Sequence, residues 1–146
     1  MAQMVDIGDK PEVARRATAW GRLRLRLATA AAIASGEVPK GDPFATGRVA
    51  AIQAVKATPA ILPLCHPLPI SGVEVEFALA GAEVECRVTV SATYRTGVEM
   101  EALTGVMAGL LCVWDLVKPL EKDEAGQYPE TCIHSVKVVE KLKGEG

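Results

Sequence analysis

The chain has 146 residues, 49% of them hydrophobic, which suits a single domain with one core spanning 1–146. Aromatic residues make up only 4%, so that core is aliphatic and the stacking platform of a single-stranded nucleic-acid binder is missing. The net charge of −2 argues against extended polyanion binding. The charge is nevertheless uneven: residues 1–58 hold nine Lys or Arg against five Asp or Glu, the remainder seven against thirteen. The basic side gathers at Arg15, Arg16, Arg22, Arg24 and Arg26, which points to a nucleic acid or to a small polyanion such as a phosphorylated metabolite. None of the four cysteines forms a Cys-x-x-Cys pair, which speaks against zinc and dithiol redox motifs. The start lacks the basic-then-apolar pattern of a signal peptide. The apolar run 102–114 falls short of the roughly 20 residues a bilayer span needs. A cytoplasmic protein with free thiols and no membrane partner is expected.

In chain order, Arg22-Leu23-Arg24-Leu25-Arg26-Leu27 alternates and predicts a strand with leucines on one face and arginines on the other. Residues 28–35 predict a short Ala-rich helix that Gly36 terminates. Asp42 as N-cap and Pro43 at the first helical position predict a second helix. Its apolar positions are Val49, Ile52 and Val55, and Pro59 ends it or starts a new turn. Three prolines between 61 and 70 place Cys65 and His66 on a stiff loop. Residues 73–77 and 84–90 alternate across Ala80-Gly81-Ala82 and read as a hairpin with one wet face. Thr96 with Glu99 reads as a capping box opening a long apolar helix, which Pro119 stops near Lys118. A polar loop over 121–130, a last strand over 133–139 and a basic tail complete the chain. Strand, helices, hairpin, helix and strand make an α+β two-layer sandwich, an antiparallel sheet packed against helices.

Ionisable groups at the two ends of an apolar helix are costly unless paired or used. Lys118 sits at a helix C-terminus, where the macrodipole favours any cation. Asp115, three residues before it, shares its face, so the two read either as a structural ion pair or as a tuned proton donor and acceptor. Glu99 has its capping role to explain it, whereas Glu101 has none; two positions apart, they point to opposite sides of the helix. A carboxylate there is a natural acceptor for the paired N–H groups of a guanine-like or pterin-like ring. Lys40 precedes a helix N-terminus, which reads as a phosphate site or as a solvated lysine. His66 reads as a phosphate ligand, an acid or a packing residue. No P-loop is present, and no His, Cys and carboxylate spacing resembles a metal cage.

These segments together resemble the molybdenum cofactor biosynthesis protein C family, the cyclic pyranopterin monophosphate synthases. The matching pieces are Met4-Val5-Asp6, Lys40-Gly41-Asp42 with Phe44-Ala45-Thr46 and Arg48, Leu62-Pro63-Leu64-Cys65-His66-Pro67-Leu68, Val73-Glu74-Val75, Thr96-Gly97-Val98-Glu99-Met100-Glu101-Ala102-Leu103-Thr104, and the pair Asp115 and Lys118. The resemblance implies a ferredoxin-like fold and a homohexamer of three dimers with active sites at dimer interfaces. The reaction it implies converts cyclised dihydro-GTP to cyclic pyranopterin monophosphate with release of pyrophosphate. It implies catalytic roles for Lys40 and Lys118, with Asp115 positioning or tuning Lys118. Cys65, His66, Glu99, Met100 and Glu101 are implied as pocket residues, and Arg15 and Lys141 as cations for the triphosphate. It calls for no cofactor, with magnesium beside the triphosphate left open. The chain departs from the family in Leu116-Val117 between Asp115 and Lys118, in a longer 124–132 segment, and in the tail Lys141-Leu-Lys-Gly-Glu-Gly. The rival reading is a ferredoxin-like RNA-binding module using the basic strand 22–26.

Overall fold

The computed structural model describes residues 1–144; Glu145 and Gly146, the end of the tail, lie outside the described residues. The elements run β1 (Val13–Arg24), α1 (Leu27–Ser35), α2 (Pro43–Lys56), α3 (Thr58–Ile61), β2 (Ile70–Ala80), β3 (Glu83–Tyr94), α4 (Glu99–Glu121) and β4 (Cys132–Lys143). The four strands form one antiparallel sheet in the order β2-β3-β1-β4, so β3 lies between β1 and β2. That is the antiparallel α+β sandwich the residue pattern predicts, in the ferredoxin-like strand order the family resemblance implies. Helices α2 and α4 pack on each other and on one sheet face. The core between them is aliphatic: Leu23, Val55, Val84, Val88, Val90, Val106, Leu110 and Val113 are almost completely buried.

The strand expected over 22–27 is the end of a longer one. β1 begins at Val13 and stops at Arg24, and Leu27 is exposed at the start of α1. Its first half escapes a polarity pattern because an arginine, Arg15, takes an inward position between Val13 and Ala17. The arginine face is not free. Arg22 and Arg24 each pair with Glu83 at 3.2 Å on β3, Arg26 reaches Glu130 at 3.5 Å, and the Arg22 guanidinium lies 4.9 Å from the Trp20 ring centroid. The basic stripe is thus half of a cross-strand charge ladder, which removes the main support for the RNA-binding reading.

The second helix forms as expected. Asp42 accepts from the backbone N–H groups of Phe44 and Ala45, though Val49 points outward rather than to the core. Pro59 starts the extra turn α3.

Two expectations about α4 fail. Thr96 and Glu99 do not close a capping box: Val98 is the N-cap and no side chain caps it, because Glu99 is drawn to Lys141. Pro119 does not stop the helix, which continues to Glu121. The fully buried Glu121 anchors that extension: it accepts from the Arg26 N–H and, at 2.6 Å, from the Thr131 hydroxyl. The presumed tail is also strand, because β4 runs to Lys143 beside the start of β1. α4 has the length and apolarity of a bilayer span, yet it is the half-buried core helix of this sandwich.

Candidate active site

At the C-terminal end of α4 the sequence brings Lys40, Asp115 and Lys118 together. The loop carrying Lys40 is fixed on both sides. Val38 is buried, and Gly41 holds φ 118, a conformation open mainly to glycine. Asp42 accepts from the first free N–H groups of α2, those of Phe44 and Ala45. Lys40 instead turns to α4, where its Nζ donates to the Asp115 carbonyl at 3.3 Å. Lys118 Nζ meets Asp115 Oδ1 at 2.8 Å.

This pair is open rather than embedded: the two side chains are 40% and 58% exposed. The hydrogen bond and charge of Lys118 hold the Asp115 carboxyl below its ordinary value, with Lys40 helping. The same contact pushes the Lys118 amine up, and the Tyr128 phenol adds to it. Both partners are therefore ionised at neutral pH. Lys118 as placed is a cation and a proton donor, with Asp115 as its acceptor. Tyr128 packs edge-to-face on Trp114, with centroids 5.3 Å apart. The loop before it is tied by Asp123, which accepts from the N–H groups of Ala125 and Gln127.

The other predicted residues gather at the N-terminal end of α4. Cys65, His66 and Met100 line an open groove of about 660 Å³ with Thr96, Lys10 and the apolar side chains of Val5 and Ile7. Behind the proline-framed loop, Glu101 is 2% exposed and touches Cys65 Sγ at 3.6 Å. Its Oε1 has no partner among the described residues. Burial pushes the Glu101 carboxyl up. Burial and the neighbouring carboxylate push the Cys65 thiol up to about 11. Cys65 is thus a neutral thiol that shapes the wall, not a thiolate nucleophile. Glu99, on the opposite helix side, binds Lys141 Nζ at 2.7 Å. Burial alone would raise its carboxyl, but the Lys141 contact and the nearby Arg15 charge outweigh burial and leave it below the ordinary value. Arg15 is 8% exposed, and its Nε is unpartnered among the described residues. This end can bind a polar ring through carboxyl groups and an anion through Lys10, Arg15 and Lys141.

One chain does not join the two ends. Lys118 lies nineteen helical steps beyond Glu99, about 28 Å along a helix rising about 1.5 Å per residue. Between them runs a stripe of exposed side chains, Met100, Met107 and Leu111, which share one helix face with Lys118 at 3.6-residue spacing. Another groove, of about 720 Å³ beside Arg24, Arg26 and Glu130, contains none of the predicted site residues.

The sequence reading missed Lys10, Thr96 and Tyr128 as members of these settings. Thr96 was absorbed into the supposed cap. Tyr128 lies in a loop whose fold depends on Asp123 and on the positive φ of Gly126, and the only signal for it was the Asp-x-x-Gly spacing.

The MoaC family model matches residues 4–144. A probable cyclic pyranopterin monophosphate synthase of Methanoregula boonei is 56% identical over 144 residues, covering 99% of this chain and 93% of that protein. One from Thermococcus onnurineus is 52% identical over 144 residues, 99% of this chain and 92% of that protein. A probable cyclic pyranopterin monophosphate synthase accessory protein of Methanothermobacter thermautotrophicus is 52% identical over 143 residues, 98% and 90% respectively.

Proposed function

This chain belongs to the MoaC family, and we infer that it is a cyclic pyranopterin monophosphate synthase of molybdenum cofactor biosynthesis whose active sites are each built from two copies of the chain. The substrate on this reading is cyclised dihydro-GTP. A cyclic monophosphate keeps one phosphorus of a triphosphate, so the bond between the α-phosphorus and its bridging oxygen breaks. The other two phosphoryl groups leave together as pyrophosphate. A substrate hydroxyl closes the ring on the α-phosphorus and gives up its proton.

The charge that develops on the leaving pyrophosphate calls for cations and a proton donor, and Lys118 and Lys40 supply them. Asp115 holds Lys118 protonated and aimed. At the other end Glu99, the less buried of the two carboxyls, offers an acceptor to the N–H edge of the base, while Glu101, on the opposite helix side, backs the Cys65 loop. His66, Arg15 and Lys141 stand as groups for the phosphates, and Cys65 and Met100 as walls. A cytoplasmic setting fits the four free thiols.

The observation that carries the shared site is the length of α4. The base-binding groups and the phosphate-activating groups stand about 28 Å apart, too far for one small substrate. A two-fold axis crossing the exposed stripe near Gly109 would lay two copies of α4 antiparallel. That contact covers Met107 and Leu111 on both chains and brings the Met100 end of each copy to the Lys118 end of the other. Three such dimers as a hexamer belong to the same reading.

The test is pyrophosphate release by the purified chain from enzymatically made cyclised dihydro-GTP. The native chain turns over, and Lys118→Ala loses about a hundred- to ten-thousand-fold in rate with unchanged circular dichroism. No release by the native chain, or near-native release by the variant, overturns the reading.

A further inference from the structure

We propose that Pro119 is a positioning residue for Lys40. The argument rests on the site proposed above and extends it by one residue. In an α-helix the N–H of residue 119 would donate to the carbonyl of residue 115. Pro119 lies inside α4, one turn beyond Asp115. It has no N–H, and its ring presses against the carbonyl four residues back. The Asp115 carbonyl is therefore left without its helical donor. Lys40 Nζ takes that place at 3.3 Å.

The helix does not break at the proline. It resumes with the Lys122 N–H donating to the Lys118 carbonyl, and Glu121 anchors its end through Arg26 and Thr131. The proline thus costs α4 one hydrogen bond and creates one outward-facing acceptor. Asp115 thereby serves two lysines with different atoms, Lys118 through its carboxylate and Lys40 through its backbone. Lys40 comes from a separate loop, and the Asp115 carbonyl is the hydrogen-bond acceptor that fixes its amine beside Lys118. A residue with an N–H at 119 would return this carbonyl to the helix and leave Lys40 to compete for it.

Pro119→Ala is the direct test, because alanine is the best helix former and the variant keeps or raises its Tm. Two measurements are made on the full chain. The first is acylation of Lys40 by a small amine-reactive ester without substrate, mapped by mass spectrometry. The second is steady-state pyrophosphate release, alone and in a Lys40→Ala background. The expected result is faster acylation of Lys40, kcat lower by about ten- to a hundred-fold, and KM within about twofold of native. In the Lys40→Ala background the second substitution then adds nothing.

Unchanged Lys40 acylation overturns the placement, whatever happens to kcat. An equal loss of kcat with and without Lys40 also overturns it, because the proline would then act through another group. Faster acylation with unchanged kcat overturns the link to turnover. Failure of the underlying reading looks different: Lys40→Ala alone would then be as active as the native chain.

Discussion

Glu99 and Glu101 stand two residues apart at the start of α4 and are driven in opposite directions. Glu99 ends below its ordinary 4.5 because Lys141 and Arg15 outweigh its burial. Glu101 ends above 4.5 because burial dominates and Cys65 is its only side-chain partner among the described residues. The signs follow from proton linkage. Between the folded and unfolded values of Glu99, the unfolded chain binds the extra proton. Its contribution is therefore present above pH 4.5 and is lost as pH falls through the folded value. For Glu101 the folded chain binds the extra proton, so its contribution is whole below pH 4.5 and is lost as pH rises through the folded value. Urea titrations of Glu99→Gln and Glu101→Gln across acid to neutral pH separate them. Glu99→Gln is less stable than native at neutral pH, and the deficit closes in acid. Glu101→Gln is more stable at neutral pH, and the gain closes below pH 4.5. The same sign of change in both variants would mean that the two carboxyls share one environment.

Their placement shows what was legible at this scale. Opposite helix sides follow from a two-residue spacing, and that expectation holds. The choice of partner does not follow from local sequence, because Lys141 lies on β4 and Arg15 on β1. Local reading therefore gave Glu99 to a capping box, because a nearby backbone donor was weighed without the distant charge that competes with it. For Lys40 it left a phosphate site and a solvated lysine both open, and the contact with the Asp115 carbonyl is not written in either.

Among the elements, those whose signals are local were readable: α2 from Asp42 and Pro43, the hairpin from Gly81, and the proline-framed loop around Cys65. The hidden parts are those that tertiary contacts hold against local preference. β1 keeps an inward arginine, and α4 runs through a proline because Glu121 secures its last turn. The α2–α4 contact depends on small residues that carry no polarity signal. A Cβ on Gly105 would stand 2.8 Å from a Val55 methyl and 3.1 Å from a Val88 methyl. Valine is stiff at χ1 and has little room to yield. Gly105→Ala therefore sets about 1 kcal/mol of gained helix propensity against overpacking of about 1–3 kcal/mol. We expect a net loss, of the order of 1 kcal/mol, in chemical denaturation. A variant as stable as native would mean that α2 and α4 separate freely and that the contact is not tight.

On the proposed reading, the two ends of α4 carry complementary halves of one chemistry. The N-terminal end holds a buried and a half-buried carboxyl, a neutral thiol and an open groove; the C-terminal end holds two cations on one aspartate. A helix of 23 residues keeps them apart within a chain. Its exposed stripe offers the contact that would join them between chains. Complementation decides whether it does. Lys118→Ala and His66→Ala are prepared separately, dissociated mildly, mixed in equal amounts and reassembled. If each site takes the Lys118 end of one chain and the His66 end of another, a mixed dimer holds one doubly damaged site and one intact site. Random pairing then returns about a quarter of native activity. Lys40→Ala mixed with Lys118→Ala is the internal control. Those lysines share one end of one chain through Asp115, so every site lacks at least one of them and activity stays absent. Recovery in the control would place Lys40 and Lys118 of one site on different chains, against the contact seen here. No recovery in the first mixture, with mixed oligomers confirmed by native mass spectrometry, would return the whole site to a single chain.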